Sequence, residues 1–293
     1  NNSLANPLAT FEHGAGENKN IQEYTVFDVS IEPKMRLGKS LFISSLFNYK
    51  LHRTNEKYFR PMTGSPAFTI EGLGTTKNEV RSFFSKVTSV NNDTRIDWSK
   101  TFGGQNINAF GGFRYSNFSY DSSFQSCHNT GNDKLPDIKE SYDFIDEGGE
   151  LNVVRNMAWY ANADYNLANK YFFQASLTAE SSSRFGREIE GALKLGGVCW
   201  GLFPSLQAGW LVSSEPFFNV SLIDYLKFTA GVDWSGNDNI SNSAAFCYHE
   251  NVKYSDKLMG LEMGNIENQS IQWETTRRLN FGIDMLSINN RLR

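Results

Sequence analysis

The feature that most constrains this chain is a regular switch between very short and very long connections joining unusually long two-residue repeats. From Leu151 to Asn166, Leu151, Val153, Arg155, Met157, Trp159, Ala161, Ala163 and Tyr165 fall on one side, and Asn152, Val154, Asn156, Ala158, Tyr160, Asn162, Asp164 and Asn166 on the other. A period of two marks an extended strand with one apolar and one polar face. This run goes well past the about 5–6 residues of an ordinary globular strand. Tyr171, Phe173, Ala175, Leu177 and Ala179 repeat the pattern, as do Ile271 to Met285. Weaker alternation at Tyr24–Met35, Leu41–His52, Thr94–Phe102, Ile107–Tyr120, Phe203–Val212 and Leu226–Trp234 brings the expectation to about nine or ten strands. One short helix is expected at Glu215–Tyr225, with Pro216 in its first turn.

Tight turns are expected at Leu37-Gly38-Lys39, Gly103-Gly104-Gln105, Ala168-Asn169 and Asn289-Asn290. Long links are expected from about Arg53 to Asp93, Asp121 to Glu150, Ser181 to Leu202 and Ser235 to Ser270, with a modest one at Ser213–Asp224. In an up-and-down antiparallel sheet, alternate connections lie at opposite ends of the strands. The pattern therefore puts short turns on one side and long loops on the other. Transmembrane β-barrels carry that asymmetry, whereas a soluble sandwich has no reason to sort its loops by length. The expected fold is all-β: a segment of an antiparallel up-and-down transmembrane β-barrel. Tyr165, Tyr171 and Phe173 flank a tight turn on the apolar face, where an interfacial aromatic girdle sits.

Composition removes several alternatives. The 28 Lys and Arg against 32 Asp and Glu leave a net charge of −4, and with a pI near 5.7 no basic surface for nucleic acid is expected. No apolar run of about 18 residues occurs, so no transmembrane helix is expected; mean hydropathy is −0.44. Asn1-Asn2-Ser3-Leu4 reads as no signal peptide. The 3 cysteines, Cys127, Cys199 and Cys247, are too few and too dispersed for a disulfide framework or a CxxC pair. Aromatic residues make up 14% of the chain, with 23 Phe and 12 Tyr, against 20% charged residues, a balance that favours strands over helices.

Several blocks in one order resemble the SusC/RagA family of TonB-dependent outer-membrane transporters. They are Asn162-Ala163-Asp164-Tyr165, Lys170-Tyr171-Phe172 and Glu180-Ser181-Ser182-Ser183-Arg184-Phe185-Gly186, followed by Phe203-Pro204-Ser205, Gly209-Trp210 and Ser214-Glu215-Pro216-Phe217. Leu226-Lys227, Gly236-Asn237-Asp238-Asn239-Ile240, Ile271-Gln272-Trp273-Glu274-Thr275, Asn280-Phe281-Gly282-Ile283-Asp284 and Asn289-Asn290-Arg291-Leu292 complete the series. The likeness covers Trp159 to Arg293; it departs at Glu180-Ser181, where the family has Asp-Gly, and at Val232-Asp233-Trp234-Ser235. It implies that residues 1–293 form part of a plugged barrel of about 22 strands, with the plug domain and signal peptide absent from this chain. It further implies bacterial outer-membrane import of a glycan, oligosaccharide or peptide without covalent chemistry or a cofactor. The implied partners are a SusD-like surface lipoprotein, the TonB complex through the plug, and outer-membrane lipid. The competing expectations are a non-transporting barrel, adhesin or structural, and an extracellular carbohydrate-active enzyme.

No catalytic constellation is legible. His13, His52, His128 and His249 stand apart without an HExxH spacing. Gly103-Gly104 and Gly111-Gly112 lack phosphate-loop spacing and read as a turn and a strand kink. Asp143, Asp146 and Glu147 lack the regular oxygen spacing of a calcium loop, and Asp238 reads as a turn residue. No metal site is expected. Aromatics in the long loops, Tyr142, Phe185, Trp200 and Tyr248, with Phe144 nearby, are the candidate ligand-stacking residues; packing of the loops against one another is the alternative. Asn152, Asn156, Tyr160 and Asn162 are expected to face water or a plug.

Overall fold

The computed structural model describes residues 8, 20–63, 66–70, 74–131, 133–134, 137–138, 146–255 and 258–288. Contacts divide the chain into two units, Asn1–Val29, Asn48–Val90 and Phe118–Val153 in one, Ser30–Phe47, Asn91–Asn117 and Val154–Arg293 in the other. The main strands are β1 (Ile21–Ile31), β3 (Leu41–Arg60), β6 (Glu79–Phe102), β7 (Gln105–His128), β8 (Asp146–Leu167), β9 (Tyr171–Ser182), β11 (Val198–Leu211), β12 (Ile223–Asn237) and β15 (Glu274–Ser287). They hydrogen-bond in the order β1-β3-β6-β7-β8-β9-β11-β12-β15. Short β2 (Lys34–Arg36) pairs with β3, and β10 (Leu193–Leu195) with β11. Two hairpins stand apart from that sheet: β4 (Phe68–Ile70) with β5 (Gly74–Thr76), and β13 (Tyr248–Ser255) with β14 (Leu258–Asn265).

The antiparallel register fixes which residues share a face. Trp159 pairs with Ala179, Ala161 with Leu177, and Ala163 with Ala175, while Ala230 pairs with both Ala208 and Phe281. The tight turns owe their geometry to left-handed backbone. Gly103 and Gly104 have φ of +54° and +77°, which glycine adopts without a Cβ clash, as a two-residue hairpin requires. Ala168 and Asn169 do the same at +54° and +56°. Asn169 is held there because its amide donates to Asn166 Oδ1 at 3.0 Å and its Oδ1 accepts from Asn166 Nδ2 at 2.8 Å.

Three expectations need correction. The link from Arg53 to Asp93 is mostly strand, since β3 runs on to Arg60 and β6 starts at Glu79. Residues such as Arg53, Asn55, Glu56 and Lys57 put polar groups on both faces, so the ladder continues without any hydrophobic alternation to betray it. The segment Tyr24–Met35 is split at Pro33, which has no N–H to donate to a ladder. No helix forms at Glu215–Tyr225: a 3-10 turn at Val212–Ser214 ends at Glu215, whose backbone is extended (φ −81°, ψ 146°). Its neighbour Pro216 disfavours helical geometry in the residue before it. The expected turn at Asn289-Asn290 lies outside the described residues.

In the first unit, Phe59, Val80 and Cys127 form a small core with Ile138 against it. Asn78 and Thr130 pin two segments reciprocally: Asn78 Nδ2 donates to Thr130 Oγ1 and the Thr130 amide donates to Asn78 Oδ1, both at 2.8 Å. Asp133 accepts from the amides of Met62 (2.7 Å) and Thr63 (3.0 Å) and from the Thr63 hydroxyl (2.8 Å). Partial burial pushes its carboxyl upward, but these donors outweigh it and hold Asp133 below the usual carboxylate range. In the second unit the apolar side chains of β8 to β15 are turned outward: Trp159 is 55% exposed, Leu206 56% and Phe281 82%.

Candidate functional site

The polar face of the second unit is a continuous wall of donors and acceptors. Asp93 on β6 accepts the Tyr160 hydroxyl from β8 and the Arg114 Nε (3.0 Å) and Nη2 (2.9 Å) from β7. The Arg114 guanidinium lies 5.5 Å from the Tyr160 ring centroid. This close crossing explains Gly112: a Cβ there would stand 2.5 Å from the Thr94 carbonyl oxygen and 2.6 Å from the Tyr160 hydroxyl. Arg95 donates through Nε to Asp97 at 2.8 Å and lies 3.8 Å over the Phe110 ring, a cation–π contact. Farther along, Arg278 donates to Asp233 through Nε (2.8 Å) and Nη2 (2.6 Å), and Asn280 Nδ2 reaches the other oxygen at 3.2 Å. Two shallow recesses open on this wall. One of about 450 Å³ is lined by Thr178, Ser205, Gln207, Asp233 and Arg278 among others. A second, of about 420 Å³, is lined by Asn108, Asp164, Gln174, Lys227 and Asn280 among others. Such walls hydrogen-bond water, a polar ligand or another polypeptide.

At the long-loop end, the Ser183-Arg184-Phe185-Gly186 stretch is the centre of a packed cluster. Phe185, Ile189, Cys199 and Trp273 form its buried core, with Phe203 and Ile240 against it. The Phe185 and Trp273 rings are 4.2 Å apart. The Gly186 amide donates to the Ile271 carbonyl at 3.1 Å, and a Cβ on Gly186 would run into the Gln269 backbone. Arg184 ties the cluster to the next loop through Asn242 Oδ1 (2.7 Å) and the Asp238 carbonyl (2.9 Å). So Asp238 is a turn residue paired with an arginine.

At the short-turn end, Glu215 is a hub. It accepts from Lys170 Nζ at 3.2 Å and Trp210 Nε1 at 3.1 Å. The Tyr171 hydroxyl, then Trp210 and Lys170, hold its carboxyl below the usual glutamate range against the opposing effect of burial.

The candidate stacking residues do not converge. Phe185 and Trp200 are each 6% exposed, the first in the loop cluster and the second donating its Nε1 to the Leu195 carbonyl at 3.1 Å. Tyr248 is 38% exposed on β13, with its ring lying across Gly264. Tyr142 and Phe144 lie outside the described residues, as does Asp143. Sequence reasoning singled out Tyr160 but not its partners Asp93 and Arg114, nor the pair Arg278–Asp233. Their signal was present: charged residues occupying the polar phase of otherwise alternating strands. Among the described residues no group of three or more His, Cys, Asp or Glu is placed to hold a metal ion.

No family model matches the chain. Among curated proteins it is similar to TonB-dependent receptor P39 of Formosa agariphila, 25% identical over 98% of this chain and 26% of that protein. TonB-dependent receptor P3 of the same organism is 22% identical over 86% of this chain and 24% of that protein. TonB-dependent receptor SusC of Bacteroides thetaiotaomicron is 28% identical over 46% of this chain and 14% of that protein. The chain spans about a quarter of the length of the first two relatives. Among solved structures, the RagAB peptide transporter superposes with a TM-score of 0.75 at 17% identity, covering 92% of this chain and 29% of that one. The RagAB peptide importer in its open-open state gives 0.70 at 16% identity over the same shares.

The fold is thus an antiparallel sheet of long strands that matches a stretch of the RagAB transporter's barrel. With the sequence relatives and the block order added, the chain is SusC/RagA-like, similar to about a quarter of the length of proteins named TonB-dependent receptors.

Proposed function

We propose that this chain builds part of the wall of an outer-membrane importer that takes up a large polar nutrient, a glycan or a peptide. One observation carries the reading: bulky apolar side chains along β8 to β15 are exposed on one face, while the opposite face carries the Asp93–Arg114–Tyr160 and Asp233–Arg278 networks. Exposed apolar area on this scale is costly in water and favourable against hydrocarbon. The main strands support it, since β6 and β7 have 24 residues each and a tilted strand needs only about 9–11 to cross a bilayer. Their remainder projects beyond the membrane and carries the loops.

The chain's residues bind and orient; they make and break no covalent bonds. Phe185 and Trp200 hold the long loops in place, and Tyr248 is the exposed aromatic offered to a sugar ring or peptide side chain. A SusD-like lipoprotein would cover the loop end, and a TonB complex would supply the energy through a plug. The test is deletion of the whole gene, followed by growth on a panel of glycans and of peptides as sole carbon source. Loss on one class, restored by the intact gene, supports import; unchanged growth on every member contradicts it.

A further inference from the structure

We propose that the apolar face of β6 to β9 holds one anionic membrane lipid, its acyl chain in a trough and its phosphate on Arg155; this rests on the membrane reading above. The trough has a volume of about 790 Å³. Ala109, Gly111 and Ala161 form its floor, and Ile96 and Leu177 stand at its sides. Its upper end is closed by Phe113 and Trp159, whose ring centroids are 4.6 Å apart.

Position along the strand selects the occupant. Trp159 precedes the Ala168 turn by roughly nine residues, which at ~3.3 Å per residue and ~40° tilt is a height of about 23 Å, near the top of a ~25 Å apolar band. Arg155 lies four residues before Trp159, two alternations beyond it on the same face, hence about 10 Å farther out, in the head-group layer. It is exposed, and among the described residues no acidic side chain pairs with it, whereas Arg95, Arg114, Arg184 and Arg278 all face carboxylates. An unneutralised guanidinium above a hydrocarbon slot complements a phosphate carried on an acyl chain.

The experiment uses the full-length transporter containing this chain, in nanodiscs of phosphatidylglycerol and phosphatidylcholine at equal mole fraction. Lipid retained after transfer to detergent is counted by native mass spectrometry. Phosphatidylglycerol should be kept over phosphatidylcholine by about tenfold, the effect of one charge-assisted pair. Arg155→Gln should abolish the preference while leaving a lipid bound. Gly111→Leu, whose Cβ meets nothing closer than 3.4 Å, should fill the floor and remove the lipid itself. Equal retention of both lipids by the unaltered protein, or unchanged retention in both variants, would overturn the inference, as would a dimer sealed across Trp159. A protein that inserts but shows no head-group preference defeats this inference alone; one that does not insert defeats the membrane reading first.

Discussion

The guanidinium of Arg184 reaches across to the next long loop and donates to the backbone carbonyl of Asp238 at 2.9 Å, while its carboxylate stands 3.5 Å away. One arginine thereby ties the end of β9 to the end of β12. The adjacent Phe185 anchors the same corner by packing its ring at a tilt against Trp273. The Ser-Arg-Phe-Gly stretch is therefore a fastening for the loops.

That fastening predicts a graded response. Phe185→Ala should destabilise the full-length protein by about 3 kcal/mol, and Gly186→Ala by about 1–3 kcal/mol through overpacking against Gln269. Limited proteolysis of the loops between β9 and β11 and between β12 and β15 should accelerate in both, while Phe185→Leu stays close to the parent.

On the polar wall, Tyr160→Phe removes one donor from Asp93 but leaves Arg114, so the cost should be about 1 kcal/mol. Gly112→Val should cost more, because its side chain collides with both Thr94 and Tyr160. Thermal unfolding of the full-length protein in detergent measures the order.

Ala168 sits at φ +54°, a conformation that costs an L-residue about 1–2 kcal/mol. Ala168→Gly should therefore raise stability or leave it unchanged, by up to about 1 kcal/mol, the reverse of what a glycine does inside a strand. Calorimetry of the two forms distinguishes the cases.

Glu215 gives the short-turn end a pH dependence of defined sign. Its folded pKa lies below its unfolded value, so its contribution is fully present above the ordinary glutamate range. That contribution is lost as pH falls through the depressed folded value. Protection from hydrogen exchange at the turns around Lys170 and Glu215, corrected for the intrinsic pH dependence of amide exchange, should fall on acidification from about pH 5 downward, and Glu215→Gln should flatten that dependence.

Much of this was legible in the sequence because alternation survives wherever one face is apolar. Trp159, Ala161 and Ala163 against Tyr160, Asn162 and Asp164 mark the Leu151–Asn166 part of β8 in the sequence itself. It failed where both faces are polar, as at Arg53–Lys57, since the ladder there is held by backbone hydrogen bonds that leave no mark on side-chain type. Pro216 misled in the other direction: it suits a first helical turn, but the chain uses its extended-favouring effect on Glu215 to aim that carboxylate at Lys170 and Trp210. For Phe185 and Trp200, a loop aromatic reads alike whether it stacks on a ligand or on another loop, and only Trp273 and Leu195 show where these two rings go.

The central claim is that one face of these strands lies against hydrocarbon, and a nitroxide scan of β8 tests it most directly. Labels placed singly at each position from Trp159 to Asn166 of the full-length transporter in liposomes report collisions with oxygen, which dissolves in the bilayer core, and with a water-soluble nickel chelate. Positions 159, 161, 163 and 165 should favour oxygen and positions 160, 162, 164 and 166 should not, with a period of two. Equal accessibility on both faces, or chelate access at Trp159, Ala161 and Ala163, would contradict the account.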